Sequence, residues 1–368
     1  MTVYAHINTV PNGSTGGIMM KEHKELLAAG EESYAFWGRG REAENPNEMK
    51  FASDAEVKLD VLQTRIDGKA GFHSKNASKR LLARLEEIQP DVVHLHNLHG
   101  YYVNIEMLFN WLANHKCKVE WTLHDCWSFT GHCVHFTYAK CTQWKDRCAY
   151  SKSCSQLNTY PKTYSKMSCS WNFEQKKRLF NLVPPERMKL ITPSQWLGNL
   201  VGESFLKGYP VEVRHNTVDI DVFKPTPSIF RERYNIGDRF MILGVASPWT
   251  ERKGLDDFVR LAGELDSGKF AIVLVGLSVK QIKAMPGGIV GLSRTDSREE
   301  LAGIYSTADV FFNPTTEDNF PTVNLEAEAC GTPVVTYDTG GCSETVRCGN
   351  SYVVKSLEDA VAIIGGLV

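Results

Sequence analysis

The feature that most constrains the fold is a repeated pattern in which a short apolar run is followed by a longer segment with helical periodicity. The apolar runs, which we interpret as β-strands, cover residues 3–9, 33–37, 91–96, 118–124, 188–192, 211–215, 240–246, 270–276, 309–313 and 333–337. Strands that alternate with helices are typical of parallel sheets, because the helix carries the chain back to the start of the next strand. The pattern therefore predicts an α/β protein with two doubly wound parallel sheets.

The length of 368 residues is sufficient for two domains. We predict a Rossmann-like N-terminal domain over residues 1–205, a Rossmann-like C-terminal domain over 206–354 and a short C-terminal helix over 355–368. Residues 126–164 break the strand–helix alternation with Cys, Trp, Tyr and Lys. We interpret this segment as a cysteine-rich insertion in the first domain.

The charge balance and the hydropathy exclude several classes of protein. The chain has 41 Lys and Arg against 43 Asp and Glu, a net charge of −2, and no basic run, which argues against a nucleic-acid-binding protein. Its longest apolar stretch, residues 270–275, is far shorter than the roughly 20 residues of a membrane-spanning helix. The N-terminus shows no basic segment followed by a long apolar one, so we predict a cytoplasmic protein whose membrane contact, if any, is peripheral.

The segment 314–335 contains the strongest candidate binding site. A strand ends, a loop follows, and a helix begins at about Thr322; the unpaired N–H groups of such a helix start attract anions. Glu326 lies about one turn inside the helix, where a carboxylate would repel a bound phosphate unless it accepts hydrogen bonds from hydroxyl groups. A ribose that carries a diphosphate satisfies both conditions. The alternative is that Glu326 and Glu328 are ordinary exposed helix residues.

Two further segments follow strands in the same way. Arg252 and Lys253 lie at the carboxyl end of a strand, the edge at which open α/β sheets bind ligands, and could neutralise a departing diphosphate. The alternative is a solvated basic pair. The glycines of Asn12-Gly-Ser-Thr-Gly-Gly17 allow a close approach of the backbone to phosphate or sugar, but their spacing differs from that of a dinucleotide site.

Histidines accumulate near one edge of the first predicted sheet. His94 and His96 lie on one face of a strand because they are two residues apart, and His99 follows in the next loop. His124 and Asp125 end the next strand at the same edge. Each histidine taken alone is more often a structural core residue, but four near one edge favour a functional site.

The cysteines between 126 and 154 form a separate candidate site. Cys133, Cys141, Cys148 and Cys154 surround two small loops, and four thiols in a cytoplasmic protein can hold a structural zinc ion. The spacing is irregular and contains no Cys-x-x-Cys pair. Unligated thiols are the second interpretation and disulfides the third.

Taken together, these segments resemble the family-four retaining glycosyltransferases, whose GT-B architecture has two Rossmann-like domains facing a cleft. More narrowly, the chain is similar to bacterial exopolysaccharide glycosyltransferases of the colanic-acid-biosynthesis type. The motifs that carry the resemblance span nearly the whole chain: Ile7-Asn-Thr-Val10 with Gly13-Ser-Thr-Gly16, Trp37-Gly-Arg-Gly40, Asp91-Val-Val-His-Leu-His-Asn-Leu-His-Gly-Tyr-Tyr102, Trp121-Thr-Leu-His-Asp-Cys-Trp-Ser-Phe-Thr-Gly-His-Cys133, Gly244-Val-Ala-Ser247 with Arg252-Lys-Gly254, and Glu317-Asp-Asn-Phe-Pro321 with Leu325-Glu-Ala327.

The resemblance implies roles for individual residues. The second acid of the family's Glu-x7-Glu motif falls on Glu326, whereas the position of the first acid is occupied by Asp318, with Glu317 one residue earlier. The family's phosphate-binding lysine falls on Lys253. The arginine usually found five residues before that lysine is Pro248 here, so Arg252 is expected to take its place.

The remaining implied contacts fall on both predicted domains. His124 matches the active-site histidine that contacts the transferred sugar. The donor-binding residues are Gly16, Arg252, Asn319, Phe320, Pro321, Thr322 and Val323, and the acceptor-side residues are His96, Asn97 and His99.

The implied reaction is the transfer of a sugar, with retention at the anomeric carbon and without a catalytic metal. The donor is a nucleotide diphosphate sugar of the UDP or GDP type, and the acceptor is a saccharide or a lipid-linked saccharide. In such front-face mechanisms the leaving phosphate oxygen can accept the proton of the acceptor, so no catalytic base is assigned. A lipid-linked acceptor would bring the enzyme to the inner face of the membrane. The alternatives are a sugar-nucleotide 2-epimerase of the same architecture and a zinc-dependent interaction module.

Overall fold

Each half of the chain forms its own parallel β-sheet. The structure, a computed structural model, describes residues 1–149, 155–165 and 167–368. The chain consists of two compact units, Met1–Arg214 and His215–Val368. The prediction of two Rossmann-like parallel-sheet domains is confirmed.

The first unit has a seven-stranded sheet in the order β3-β2-β1-β4-β5-β6-β7, and every pair of neighbouring strands is parallel. Its elements are β1 (Val3–Asn8), α1 (Gly13–Ala28), β2 (Glu32–Trp37), β3 (Glu48–Lys50), α2 (Asp54–Asp67), α3 (Lys75–Ile88), β4 (Val92–Leu95), α4 (Ile105–Asn114), β5 (Lys118–Thr122), α5 (Ser168–Phe180), β6 (Met188–Thr192), α6 (Gln195–Glu203) and β7 (Val211–Val213).

The second unit has a six-stranded sheet in the order β10-β9-β8-β11-β12-β13, also parallel throughout. Its elements are α7 (Phe230–Arg233), β8 (Phe240–Val245), α8 (Leu255–Glu264), β9 (Phe270–Val275), α9 (Val279–Ala284), β10 (Ile289–Leu292), α10 (Arg298–Thr307), β11 (Val310–Asn313), α11 (Thr322–Ala329), β12 (Val334–Tyr337), β13 (Tyr352–Val354) and α12 (Leu357–Gly365).

The central strands of both sheets are buried on both faces because helices cover both sides of each sheet. All six residues of β9 are buried, and in the first unit Val93 and Leu95 of β4 are completely buried. Strands covered on both faces are continuous apolar runs without alternation, which is why the sequence pattern identifies them. Their burial in three large apolar clusters supplies the main stabilising free energy.

The helix ends follow local sequence signals. Helix α2 begins with a capping box in which the Ser53 hydroxyl accepts the N–H of Glu56 while the Glu56 carboxylate accepts the N–H of Ser53. It ends at Gly68, whose left-handed φ of 72° stops the helix. In the second unit, the hydroxyls of Ser278 and Ser297 accept the N–H groups of Gln281 and Glu300 at the starts of two helices.

The boundary between the units differs from the prediction. The strand predicted at 211–215 for the second domain is β7, which pairs with β6 and therefore belongs to the first sheet. The first unit consequently ends at Arg214 rather than at residue 205. The C-terminal helix is α12, which packs on α8, β12 and β13 as part of the second unit rather than as a separate segment.

The predicted insertion at 126–164 lies between β5 and α5. The structure describes three short 3-10 helices there, at Trp127–Phe129, Gln143–Lys145 and Ser155–Asn158. Large side chains of this segment, Phe129, Phe136 and Trp144 among them, are buried in the apolar cluster of the first unit. These side chains of the described part of the segment therefore belong to the packed core.

In the described part of the chain, no helix combines the length and the apolar character that crossing a membrane requires.

Candidate functional site

Two loops of the second unit meet where the strand order of its sheet reverses. β8 and β11 are neighbours at this point, because β9 and β10 continue the sheet on the other side of β8. The loops at the carboxyl ends of such a strand pair form the usual ligand crevice of an open α/β sheet. Arg252 and Lys253 lie in the loop after β8, and residues 314–321 form the loop after β11. The sheet topology thus brings together two segments that are about sixty residues apart in the chain.

Backbone contacts join these loops directly. The carbonyl of Arg252 accepts the N–H of Thr316 at 2.8 Å. Gly254, at φ 75°, packs so closely that a Cβ there would lie 2.4 Å from the Pro314 carbonyl oxygen. Glycine at this position therefore allows the loop after β8 to lie against the loop after β11.

A third loop, after β12, supports the backbone of Asp318. The N–H of Gly341 donates to the Asp318 carbonyl at 2.9 Å. A Cβ on Gly340, at φ 59°, would lie 2.0 Å from the same carbonyl oxygen. Three loops from three strand ends therefore hold one carboxylate in place.

Gly340→Ala is expected to displace the backbone of Asp318. An added methyl group can be accommodated only if the loop moves, and alanine is strained at a positive φ. We expect a loss of about 1–3 kcal/mol in the free energy of unfolding and a weaker donor affinity. The control is Gly349→Ala, since no atom lies within 4 Å of the Cβ built at Gly349. Equal donor affinity and stability in both variants would contradict this role of Gly340.

The charged side chains form a compact group at this strand end. The Lys253 ammonium forms an ion pair with the Asp318 carboxylate. The Arg252 guanidinium lies 3.9 Å from the same carboxylate and donates to the Glu317 carbonyl. Two cations thus share one anion, and the group retains one net positive charge with which to attract an anionic ligand.

The structure distinguishes the two neighbouring acids at 317 and 318. Glu317 is completely buried, whereas the side chain of Asp318 is 20% exposed beside Lys253. Of the two acids, only Asp318 has surface with which to contact a ligand. This geometry favours Asp318 for the position that the sequence left open between them.

The predicted donor-binding residues 319–323 form the start of α11. Pro321 is the N-cap residue, and no side chain caps the helix there. The first N–H groups of the helix, those of Thr322 and Val323, consequently point out of the helix start, where the helix dipole favours an anion. Phe320 is buried and packs edge-on against His215, with their ring centroids 4.8 Å apart. Asn319 is also buried.

Glu326 lies one turn inside α11, as predicted, and is partly buried. Its Oε2 accepts a hydrogen bond from the Tyr305 hydroxyl at 3.2 Å. Burial raises the pKa of Glu326, although the Tyr305 hydroxyl and the positive charge of Arg298 act in the opposite direction. The carboxylate is therefore held in one orientation by a buried tyrosine and is more sensitive to acid than an exposed glutamate.

A buried amide chain that the sequence analysis did not identify fixes α11 to the sheet. Asn313, the last residue of β11, donates to the side chain of Asn324, which donates in turn to the Thr345 hydroxyl, both at 2.8 Å. All three residues are buried. An asparagine at a strand end and another in a helix are weak signals in sequence, and only the fold shows that they meet.

The first unit has a separate polar group at the carboxyl ends of β4 and β5. His124 Nε2 lies 3.1 Å from His96 Nδ1, and the two rings stack. Burial lowers the pKa of His124 to about 4, although the charge of Asp125 acts to raise it. His124 is accordingly neutral at pH 7, and its ring can exchange hydrogen bonds with a sugar hydroxyl without charge.

The acceptor-side predictions concern His96, Asn97 and His99. The His96 side chain has no exposed surface with which to contact an acceptor, so its predicted role is corrected to an interior one beside His124.

His99 is partly exposed; its Nε2 lies 2.6 Å from Asp125 Oδ2 and its Nδ1 3.0 Å from the Tyr160 hydroxyl. Burial alone would raise the pKa of Asp125, but the charge and hydrogen bond of His99 lower it overall. Asn97 is half-buried.

Gly16 is explained by packing. It is buried in α1, and a Cβ there would lie 2.6 Å from backbone atoms of both Val10 and Pro11. Any larger residue would push the helix away from the end of β1. Its predicted contact with the donor remains a prediction.

The cysteine positions do not support the predicted zinc site. Cys154 lies outside the described residues. Among the described ones, Cys133, Cys141 and Cys148 do not form a group with metal-ligand spacing. Cys133 is buried, and Cys141 packs against the apolar core of the first unit.

Two of these thiols instead lie near a buried lysine. Lys176 on α5 donates to the carbonyls of Trp127 and Thr130 at 2.8 and 3.1 Å, and its ammonium lies 3.4 Å from the centroid of the Trp127 ring. Burial lowers the pKa of Lys176 to about 7, although Cys133 and Cys148 act to raise it. The lysine anchors the segment after β5 to α5.

The pKa of Lys176 predicts a pH dependence of stability. Between pH 7 and 10.5 the unfolded chain binds a proton at this lysine that the folded chain does not, so the free energy of unfolding rises with pH in that window. Lys176→Met removes this contribution. From pH 7 to 9 we expect the free energy of unfolding of the wild type to rise by about 2 kcal/mol more than that of the variant. Denaturant titrations measure both. The same pH dependence of the free energy of unfolding in the wild type and in Lys176→Met would contradict the prediction.

Comparison with known proteins identifies the second unit directly. Residues 239–367 match the family described as "Glycosyl transferases group 1". The Escherichia coli (strain K12) protein WcaC, named as a colanic acid biosynthesis glycosyl transferase, is 23% identical over 359 residues, which are 94% of this chain and 85% of that protein. A GDP-mannose-dependent mannosyltransferase of Mycolicibacterium smegmatis, named for phosphatidylinositol monomannoside, is 34% identical over 165 residues, 40% of this chain and 43% of its own.

Solved structures match the whole chain. Sucrose-phosphate synthase from Thermosynechococcus elongatus superposes with a TM-score of 0.72 at 15% identity, covering 100% of this chain and 90% of that one. The Anabaena protein Alr3699/HepE, solved with UDP-glucose, superposes with a TM-score of 0.63 at 14% identity, covering 100% and 89%.

The two Rossmann-like sheets and these structural matches define a protein of the GT-B fold class. The chain is a glycosyltransferase, and its group 1 domain and its similarity to WcaC support the predicted resemblance to family four. The named relatives are transferases, so these comparisons do not support the 2-epimerase and interaction-module alternatives.

Proposed function

We propose that this chain is a retaining glycosyltransferase that moves a sugar from a nucleotide diphosphate sugar to a saccharide or a lipid-linked saccharide in surface polysaccharide synthesis. The observation that carries the proposal is the group formed by Lys253, Arg252 and Asp318 beside the start of α11, within the part of the chain that matches the group 1 family.

Charge at this group suits a leaving diphosphate. When the bond between the sugar and the diphosphate breaks, negative charge accumulates on the departing phosphate oxygens. Lys253, Arg252 and the N–H groups of Thr322 and Val323 would stabilise that charge, and they stabilise the transition state more than the ground state because the charge is then larger. The positive group is held in place by three loops before the donor arrives, so little reorganisation is required.

The two acids of the group have separate proposed roles. Glu326, fixed by Tyr305, would accept hydrogen bonds from the ribose hydroxyls. Asp318, which is partly exposed, would accept one from the transferred sugar. Lys253 would contact both Asp318 and the diphosphate. Because Asp318 would contact the sugar, the positions of the sugar and of the leaving group would then be linked. For His124 of the first unit, the contact with the sugar rests on the resemblance alone.

The donor and acceptor classes rest on resemblance. The relative named as GDP-mannose-dependent and the structural neighbour solved with UDP-glucose support a nucleotide sugar, of either the GDP or the UDP type. The similarity to WcaC supports a role in colanic-acid-like surface polysaccharide synthesis. If the acceptor is lipid-linked, we place the enzyme in the cytoplasm, peripherally attached to the inner face of the membrane.

Incubation with UDP- and GDP-linked hexoses, with and without acceptors, tests the proposal. The acceptor panel contains free monosaccharides and polyprenyl-diphosphate-linked sugars. We expect release of nucleoside diphosphate that depends on the acceptor, and a product whose NMR coupling constants show the anomeric configuration of the donor. An inverted product contradicts the retaining mechanism, and a new nucleotide sugar formed without acceptor contradicts the transferase itself.

A further inference from the structure

Four side chains that can ligate a metal meet at the centre of the first sheet. β1 and β4 are neighbours at the point where the strand order reverses, and His6 and His94 are directly paired in their register. His96 lies two residues further on the same face, and Glu22 reaches this face from α1. One potential ligand atom from each of the four lies within 4.8 Å of the others.

The four side chains converge on Glu22 Oε2. The distance to this oxygen is 3.0 Å from His94 Nδ1, 3.8 Å from His96 Nε2 and 4.0 Å from His6 Nδ1. Tetrahedral zinc with bonds of about 2.0–2.1 Å places its ligand atoms about 3.4 Å apart. The three distances to Glu22 Oε2 lie within roughly 0.6 Å of this spacing.

Several polar atoms of this cluster have no hydrogen-bond partner within the described residues. They are both ring nitrogens of His6, Nε2 of His96 and Oε2 of Glu22, and all are buried. Buried polar atoms are nearly always paired, so unpaired atoms on three residues whose ligand atoms lie within 4.8 Å of one another indicate a ligand that accepts lone pairs. A metal ion would accept one ring nitrogen of His6, Nε2 of His96 and Oε2 of Glu22. His94 Nδ1, 3.0 Å from Glu22 Oε2, would be the fourth ligand.

The outer atoms of the same residues are held by neighbours. His94 Nε2 lies 2.8 Å from the Thr122 hydroxyl, His96 Nδ1 lies 3.1 Å from His124 Nε2, and Glu22 Oε1 lies 3.9 Å from the Arg214 guanidinium. Such contacts orient metal ligands in known sites. The Glu22 side chain is 25% exposed, whereas its Oε2 is buried within the cluster.

We propose that His6, Glu22, His94 and His96 bind one divalent transition-metal ion, with Zn²⁺ the best match. Three imidazoles and one carboxylate suit zinc better than Mg²⁺ or Ca²⁺, which prefer oxygen ligands.

The metal would also set the proton on His124. A His96 that binds the metal through Nε2 carries its own proton on Nδ1 and donates it to His124 Nε2. His124 must then carry its proton on Nδ1. His96 is thus a positioning residue for His124. The proposed metal site does not depend on the proposed transfer reaction.

Metal analysis of the full chain tests this site. The protein is stripped with a chelator, given Zn²⁺ or Co²⁺, freed of excess metal and analysed by mass spectrometry. We expect one ion per chain in the wild type and less than a tenth of that in Glu22→Gln and His94→Ala. For bound Co²⁺ we expect the visible bands of a tetrahedral site without thiolate charge-transfer absorption.

Two control variants locate the ion. His115→Gln changes a histidine outside the cluster, and Cys133→Ser/Cys141→Ser removes two thiols of the cysteine segment. Full metal content in both controls supports the site. Absence of metal in the wild type, full content in Glu22→Gln, or thiolate absorption in the Co²⁺ protein would overturn it. Glu22→Gln changes a partly exposed helix residue and preserves its size, so circular dichroism is expected to show a folded chain.

Discussion

Glu326→Ala is expected to lower kcat/KM for the nucleotide sugar by roughly 100-fold or more. The variant removes a carboxylate that would accept two ribose hydroxyls, and each hydrogen bond to a charged group is worth about 1.5–3 kcal/mol. Glu326→Gln keeps an acceptor for the Tyr305 hydroxyl but loses the charge, so we expect an intermediate loss of roughly 10-fold. Initial rates across donor concentrations measure both effects.

Glu328 on the same helix provides the matched control. Its carboxylate accepts the N–H groups of Arg347 and Cys348 at 3.1 Å, so it stabilises the loop between β12 and β13. Glu328→Ala is expected to lower the free energy of unfolding by about 1–2 kcal/mol and to leave the KM for the donor nearly unchanged. Near-normal donor kinetics in Glu326→Ala, or equal kinetic losses in both variants, would remove the ribose assignment.

Lys253→Ala is expected to lower kcat by roughly 10²–10³-fold. The ammonium group would act on charge that develops on the leaving diphosphate, and removing one such group from a preorganised site typically has an effect of this size. The exposed Lys280 supplies a control of the same residue type in the same unit. Lys280→Ala is expected to retain wild-type rates.

A double variant separates two explanations for the loss in Lys253→Ala. If Lys253 only neutralises Asp318, then Lys253→Ala/Asp318→Asn leaves no unpaired carboxylate and recovers activity. If Lys253 acts on the diphosphate, the double variant remains at least ~100-fold below Asp318→Asn alone. We expect the second result, and recovery of activity would contradict the role of Lys253.

The sequence predicted the interior of both sheets better than their edges. Nine of the ten predicted strands occupy central positions in the observed sheets, because strands covered on both faces are continuous apolar runs. The four edge strands β3, β7, β10 and β13 were either missed or, for β7, assigned to the wrong unit. β3 is only Glu-Met-Lys, and β13 has three residues, too short to show a pattern. Edge strands are often very short in natural sheets, and therefore give weak signals.

The placement of the candidate residues in the second unit could be predicted because each of them lies in the loop or helix that follows a strand. Sequence position alone placed Lys253, Asp318 and Glu326 near strand or helix ends. Because the carboxyl ends of parallel strands lie at one edge of a sheet, Lys253 and Asp318 were expected at the same edge. The supporting contacts could not be predicted in the same way. Gly340 approaches Asp318, and Tyr305 reaches Glu326, only after the sheet order is known.

The histidine cluster likewise depends on contacts that sequence position alone does not predict. His94 and His96 were recognised from their spacing, but their side chains point into the sheet interior toward His6 and Glu22 rather than toward an acceptor. His6 lies in a largely apolar strand, and Glu22 is one of two acidic residues on α1. Their meeting depends on the register between β1 and β4, which the sequence does not encode locally.

Binding of nucleoside diphosphates tests the central claim most directly. The free energy of unfolding of the full chain is measured with UDP, GDP and ADP, and with the corresponding monophosphates as controls. We expect one diphosphate to stabilise the wild type by about 2.7 kcal/mol at 100 times its Kd. At the same ligand concentration, Lys253→Ala is expected to show much less stabilisation. Absence of stabilisation by every diphosphate, or equal stabilisation of wild type and variant, would contradict the account.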